Sequence, residues 1–304
     1  MKLPLGASAS VAAILAVVVV LVASWPSTSP APRFVATSPR AIAPTPAPSL
    51  PPTPTSTPTP GPTASAPVRT ELPGATRKGR RPPVVDNGPR TGNLVALTFD
   101  ADLTVSMGAS LDSGRVKSYA NLRILDQLER DRVPATFFLT GMWVERYPQV
   151  TRRIAGNQRF ELANHTYGHE SFVDDCYGLP RIPRGRMTSD VDKTFDIIGR
   201  YGGRQTRFFR FPGLCHDRAA LDALAPLGVT VVDGDVVSGD PFAKSWKPIV
   251  RAVLTNVRPG SVIILHVTEA NAAMTDDALP HILAGLRERG LQPALLSDVL
   301  GPVS

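Results

Sequence analysis

Residues 94–102 read Leu94-Val95-Ala96-Leu97-Thr98-Phe99-Asp100-Ala101-Asp102. The stretch is rich in strand formers and ends in two carboxylates. Short apolar runs like it recur at Ala135–Leu139, Phe160–Ala163, Arg207–Phe211, Val229–Val232, Val262–Leu265 and Gln292–Leu295. Between several of them lie helix-like segments: Tyr119–Arg130, with Leu122, Leu125 and Leu128 at helical spacing, then Trp143–Ala155, Met187–Arg200 and Asp277–Arg289. Alternation of this kind predicts an α/β domain with a parallel sheet. About seven such units without a glycine-rich phosphate loop fit a barrel better than a dinucleotide-binding fold.

The polar residues that follow these runs carry the functional argument. The first run ends in Asp100 and Asp102, the third leads into Asn164-His165-Thr166-Tyr167-Gly168-His169, and the fourth into Arg210-Phe211-Pro212-Gly213. The fifth leads into Asp233, Asp235 and Asp240, and the sixth ends in Leu265-His266. In a barrel only the rim at the carboxyl ends of the strands is shared by all the loops. Five strand ends agreeing therefore point to one site. Singly, each residue has a plainer explanation. An Asp after a strand often caps a turn, which fits Asp233 and also Asp240. His165 and His169 alone would pass for loop histidines, Arg210 for half of a surface ion pair, and His266 for a satisfied strand-end histidine. Together they match hydrolase needs: imidazoles and a carboxylate for a metal, a second carboxylate to take a proton from water. Two histidines four apart share a face if they open a helix.

Outward from the domain, Lys2 precedes an apolar run from Leu5 to Ser24. Residues 1–24 are read as a cleaved signal peptide or a retained membrane anchor. Most of the 31 prolines crowd into the first third of the chain, and 44–63 is almost wholly Pro, Thr, Ser and Ala. Residues 25–92 are accordingly expected to be a disordered linker, too poor in apolar surface to offset chain entropy. The folded domain is expected over 93–304. The whole chain carries +7, but Lys2 and the excess of basic residues in 25–92 account for all of it. The domain from Asn93 onward has no net charge, which argues against a nucleic-acid partner. The basic tract Arg77–Arg81 is either an attractor for anionic wall polymers or lipid head groups, or a solvated charge run. The two cysteines, Cys176 and Cys215, each follow a candidate motif by a few residues. In an exported chain they are expected to pair, with two free thiols as the alternative.

Thr98-Phe99-Asp100, His165-x-x-x-His169, Arg210-x-Pro212 and Leu265-His266 stand in the order and spacing of the polysaccharide deacetylases, carbohydrate esterase family four, with its NodB-type domain. Val133-Pro134-Ala135-Thr136-Phe137-Phe138 and the run Pro259–His266 also resemble that family, so the likeness covers essentially the whole domain. It implies a distorted α/β barrel of seven or eight strands. It also implies a divalent metal, usually zinc, with cobalt, manganese and nickel as alternatives, and a polysaccharide substrate bearing N-acetyl or, in some members, O-acetyl groups. By position, Asp100 resembles the general base, His165 and His169 metal ligands, and Arg210 the residue that holds the base. His266 resembles the general acid and Asp240 the carboxylate that orients it. A backbone N–H near Gly213 is a candidate oxyanion donor.

Three positions depart from the family pattern. Ala101 stands where a second, metal-binding aspartate is usual, and Asp102 is assigned as the third ligand, displaced by one residue. Gly213 replaces the aromatic usual after Arg-x-Pro, and Pro241 replaces a tryptophan. The expected function is removal of N-acetyl groups from a bacterial wall polysaccharide by an extracytoplasmic, monomeric enzyme that meets a membrane only through its N-terminal segment. O-acetyl ester hydrolysis or hydrolysis of another amide on the same fold, and wall binding by a decayed site, are the alternatives.

Overall fold

Arg210 and Asp100 explain the shape of the sheet. The computed structural model describes residues 71–302. Its strands are β1 (Val84–Val85), β2 (Leu94–Ala101), β3 (Ala135–Leu139), β4 (Phe160–Asn164), β5 (Arg204–Phe209), β6 (Thr230–Val232), β7 (Val236–Val237), β8 (Val262–His266) and β9 (Gln292–Ala294). They pair in parallel in the order β1-β6-β5-β4-β3-β2-β8-β7, with β9 also on β2. Between β5 and β2 lie two strands, a span of roughly 14 Å in a flat sheet. Yet Arg210, one residue past β5, donates from Nη1 to Asp100 Oδ1 at 2.6 Å. The sheet is therefore curled, and the two side chains meet across its concave face. This is the distorted α/β barrel expected.

The helices are α1 (Val105–Asp112), α2 (Leu122–Arg130), α3 (Gly141–Arg146), α4 (Pro148–Gly156), α5 (Met187–Gly199), α6 (Arg218–Leu224), α7 (Trp246–Asn256), α8 (Thr275–Glu288) and α9 (Leu296–Leu300). Strand periodicity sorts β2 into two faces. Val95, Leu97, Phe99 and Ala101 join Ile124, Leu128, Ile282 and Leu286 in the outer core against the helices. Ala96 joins Phe138, Ala163 and Phe208 inside the curl, where Leu296 and Val299 of α9 also pack. The segment expected as one helix from Trp143 to Ala155 is two, because Pro148 opens α4 and cannot continue α3.

The domain begins earlier than 93. Residues 71–92 lie along the sheet rather than in a linker. Arg207 N donates to Pro73 O at 2.7 Å, Thr76 N to Gly228 O at 3.1 Å and Gly88 N to Gly260 O at 2.8 Å. β1 adds an edge strand to β6, a place where the adjacent Pro82 and Pro83 are tolerated because an edge has one side free of ladder bonds. Residues 1–70, with the expected signal or anchor at 1–24 and most of the expected linker, fall outside the described residues. Among the described residues no helix is long and apolar enough to cross a membrane.

Candidate active site

Alternation along β2 puts Asp100 and Asp102 on the concave side and turns Ala101 into the outer core. Both carboxylates are buried. Asp102 N donates to Thr268 Oγ1 at 3.1 Å, but Asp102 Oδ1 has no hydrogen-bond partner. A buried, unpaired carboxylate oxygen is costly and calls for a partner.

That oxygen faces His165 Nε2 and His169 Nε2, each at 3.5 Å. The histidines do not open a helix. They sit in a loop in which Thr166 and His169 take left-handed φ of 70° and 56°, a strained backbone of the kind found at functional sites. Asn164 Oδ1 accepts from Thr166 N, Thr166 Oγ1 from His169 N, and Asp190 from Tyr167 N. His165 Nδ1 donates to the Arg210 carbonyl at 2.9 Å. A carbonyl only accepts, so this bond leaves the Nε2 lone pair free to face Asp102. Burial pushes both histidines down to about 4, so both are neutral near pH 7. Asp102, His165 and His169 offer three donor atoms within 4.8 Å of one another. Tetrahedral zinc with bonds of about 2.0–2.2 Å spaces its donors by roughly 3.3–3.5 Å. The unpaired oxygen, the neutral imidazoles and these spacings fit one divalent cation.

Two ion pairs flank this cluster. Arg210 is wholly buried. It binds Asp100, Thr98 Oγ1 at 3.0 Å and the Val232 carbonyl at 3.0 Å, and its guanidinium stacks 3.9 Å from the Phe138 ring centre. Burial alone would raise Asp100, but Arg210, with His165 and His266, outweighs it and holds the carboxylate below its usual range. On the other side His266 Nδ1 donates to Asp240 Oδ1 at 2.8 Å, and His266 Nε2 lies 3.8 Å from Asp102 Oδ2. Asp240 is itself fixed by the His266 N–H, Ser238 Oγ and Thr275 Oγ1, each at 2.7 Å. Burial would lower His266, but Asp240 and Asp102 outweigh it and push it up to about 10.

Asp100, Asp102, His165, His169 and His266 line one cavity of about 350 Å³, with Gly213 at its side. Cys176 and Cys215 are joined as a disulfide over the same rim. Asp233 and Asp235 stand apart: Asp233 pairs with His216 at 2.8 Å, and Asp235 takes Arg90, Ser261 and the Val262 N–H. Sequence reasoning missed Ser238, Thr268 and Thr275, and took Thr98 only as part of the Thr98-Phe99-Asp100 motif. Ser238 and Thr275 are marked only by the Asp240 carboxylate they bond, Thr268 only by the backbone of Asp100 and Asp102, and Thr98 by Arg210.

The profile of the family described as polysaccharide deacetylase matches residues 87–232. Over 205 residues the chain is 31% identical to a peptidoglycan-N-acetylglucosamine deacetylase of Bacillus cereus, with 67% of each chain covered. Over 177 residues it is 30% identical to a chitooligosaccharide deacetylase of Sinorhizobium fredii, covering 55% of this chain and 79% of that one. The fold superposes with a TM-score of 0.60 on the crystal structure of a peptidoglycan N-acetylglucosamine deacetylase bound to 4-naphthalen-1-yl-N-oxidanyl-benzamide. That match covers 72% of this chain and 94% of the other, at 26% identity. The chain belongs to the polysaccharide deacetylase family. It is a hydrolase of that class.

Within a polysaccharide deacetylase the departure at Ala101 has a direct geometric account. Residues i and i+2 of a strand share a face, so Asp102 looks into the same cavity as Asp100 while position 101 looks away. Gly213 has φ of 62°, and a Cβ there would meet Cys176 Sγ at 2.7 Å and Tyr177 Cδ2 at 2.9 Å. An aromatic at 213 has no room, because the loop carrying Tyr177 already lies over it.

Proposed function

We propose that this polysaccharide deacetylase removes N-acetyl groups from a wall polysaccharide with one divalent cation held by Asp102, His165 and His169. One observation carries the reading: a carboxylate held ionised by Arg210 and an imidazole held protonated by Asp240 stand on two sides of a three-donor cluster in one cavity. When bound, the cation supplies Lewis-acid activation of the attacking water and the acetyl carbonyl. Zinc suits two imidazoles and a carboxylate. Asp100 is the proton acceptor, using Oδ2, the oxygen that Arg210 leaves free. His266 is the donor: Asp240 occupies Nδ1, so the proton on Nε2 is presented to the leaving amine. The backbone at Gly213 lines the cavity beside them and is the candidate oxyanion donor.

The basic start and apolar run of residues 1–24, and a disulfide that suits an oxidising compartment, support action outside the cytoplasm; the proposed enzyme works as a monomer. Comparing acetate release from N-acetylated peptidoglycan and chitin oligomers with release from acetylated xylan tests the reading. Faster release from the N-acetylated glycans is expected. Preference for the xylan ester would replace it with an esterase. No release from any of them, together with no bound metal, would leave a glycan-binding protein.

A further inference from the structure

The rim of the cavity carries two large rings that the fold leaves wet. Tyr177 is 75% exposed and Phe242 77% exposed, with ring centres 6.4 Å apart and planes inclined at 36°. Val237, also exposed, lines the same mouth. Burying a ring of this size is worth about 1.5–3 kcal/mol. Two exposed rings side by side at the mouth of the catalytic cavity mark a binding surface.

The rings come from different loops and are held differently. Phe242 follows Asp240 by two residues, so the carboxylate that orients His266 also anchors its loop. Tyr177 follows Cys176, whose disulfide to Cys215 ties it to the loop after Arg210. Asp175 and Tyr177, on either side of Cys176, take left-handed φ of 56° and 51°. Non-glycine residues hold such angles only where surrounding structure imposes them. Gly213 supplies the seat, since a Cβ there would strike Cys176 Sγ and the Tyr177 ring.

We propose that Tyr177 and Phe242 form one bent aromatic platform for a pyranose ring of the glycan next to the acetylated sugar, and that the Cys176–Cys215 disulfide holds Tyr177 in it. A pyranose presents a face of C–H groups that packs on an aromatic face while its hydroxyls stay in water. A sugar sandwiched between two rings would need about 7–8 Å between them, two contacts of roughly 3.5–4.0 Å. The observed 6.4 Å is too close, so the rings act as one surface. Glycan recognition then depends on the oxidised disulfide, while the acetyl-transfer chemistry to water does not.

The proposal rests on the deacetylase reading for its ligand, and two readouts separate them. Kinetics on N-acetylated glycan oligomers and on a small acetyl ester are measured for Tyr177→Ala, Phe242→Ala, Tyr177→Phe and the Cys176→Ser/Cys215→Ser pair. Each alanine variant is expected to raise KM for the oligomer about tenfold with kcat and ester turnover held, and Tyr177→Phe to behave as wild type. The serine pair should match Tyr177→Ala, and combining the two should add little, since both remove the same contact. In parallel, sedimentation with insoluble N-acetylated glycan is followed for Asp100→Asn protein with and without Tyr177→Ala. Loss of binding there supports the platform even if wild-type protein releases no acetate, which would count against the reaction alone. Unchanged oligomer KM in both alanine variants, with sedimentation of the Asp100→Asn protein unchanged by Tyr177→Ala, overturns the platform. A fall in kcat or ester turnover with KM unmoved overturns it equally.

Discussion

Asp102 is where sequence and geometry have to be read together. From the sequence, the ligand is either missing or displaced, and a count of positions from Asp100 cannot decide which. The pleat supports displacement: position 101 faces the outer core and position 102 the cavity, where an oxygen of Asp102 lies buried without a partner. His165→Ala or His169→Ala should lose both metal and activity, and Asp102→Ala should lose most of the metal. Elemental analysis of the purified protein checks this; full metal occupancy in a variant lacking both histidines would sink the assignment. Asp100→Asn should keep the metal and lose activity by about 10²–10⁴-fold, the usual worth of general base catalysis. The pH profile follows from the two ion pairs. Asp100 lies below its usual range, so activity falls on the acid side only as it finally protonates. His266 lies at about 10, so the alkaline limb marks loss of its proton. A cation at Asp102 repels that proton, and the limb is expected below 10 in the loaded enzyme. Asp240→Asn removes the neighbouring negative charge, so the limb should move to lower pH. A limb that stays in place would remove Asp240 from the mechanism.

At the scale of elements, strands were easier to recognise than helices. Each of the seven apolar runs contains or overlaps a strand, because strands buried on both faces read as unbroken apolar stretches. α2 was found through Leu122, Leu125 and Leu128, yet Leu122 is 46% exposed and Ile124 is buried instead. α1 left no trace because Met107 is its only buried residue and Val105 faces solvent. α7 carries Pro248 in its first turn, a position that suits a helix start but reads as a loop in a one-dimensional scan. The site was easier than the helices because its residue types are rare and sit at strand ends. Its hydroxyl supports were not: Ser238 stands two residues before Asp240 and Thr275 thirty-five after it, and a Ser or Thr in a loop carries no mark of the carboxylate it bonds. At the opposite end of the barrel, Glu161 on β4 is buried, accepting from Thr136 Oγ1 at 3.0 Å, Ser297 N at 3.2 Å and Ser297 Oγ. It ties α9 beneath the sheet, away from Asp102, His165 and His169. Glu161→Ala leaves those donors unpaired and should cost about 2–4 kcal/mol, a Tm lower by about 4–16 °C. Metal content should be unchanged. Thermal unfolding with the parent Tm would show that α9 is held by Leu296 and Val299 alone.

For the whole molecule, the boundary between tail and domain is the point at which composition misleads. Proline and basic residues in 25–92 read as one linker, but residues 71–92 add an edge strand and several bonds to the sheet. Two of the charges assigned to that linker are committed to the fold: Arg81 pairs with Asp222, and Arg90 with Asp235, both at 2.7 Å. Arg90 also donates to the Pro259 carbonyl at 3.1 Å, beside the turn that starts β8. The segment thus braces β6 and β8, the strands that carry Val232, the acceptor of Arg210 Nε, and His266. A chain starting at Ser65 should therefore keep the Tm and metal content of the longer protein. A chain starting at Asn93 loses the backbone bonds made by Pro73, Thr76, Pro83, Val85 and Gly88. Water replaces some of them, so about 0.5–1 kcal/mol each is the expected loss, roughly 3–5 kcal/mol in all, and a Tm lower by about 6–20 °C. Activity measured well below that Tm should fall too, because the edge strand fixes the β6 carbonyl on which Arg210 rests. Calorimetry of the two truncated chains is the measurement. Equal Tm values would mean that residues 71–92 lie on the domain without stabilising it, and that the folded unit begins at Asn93 after all.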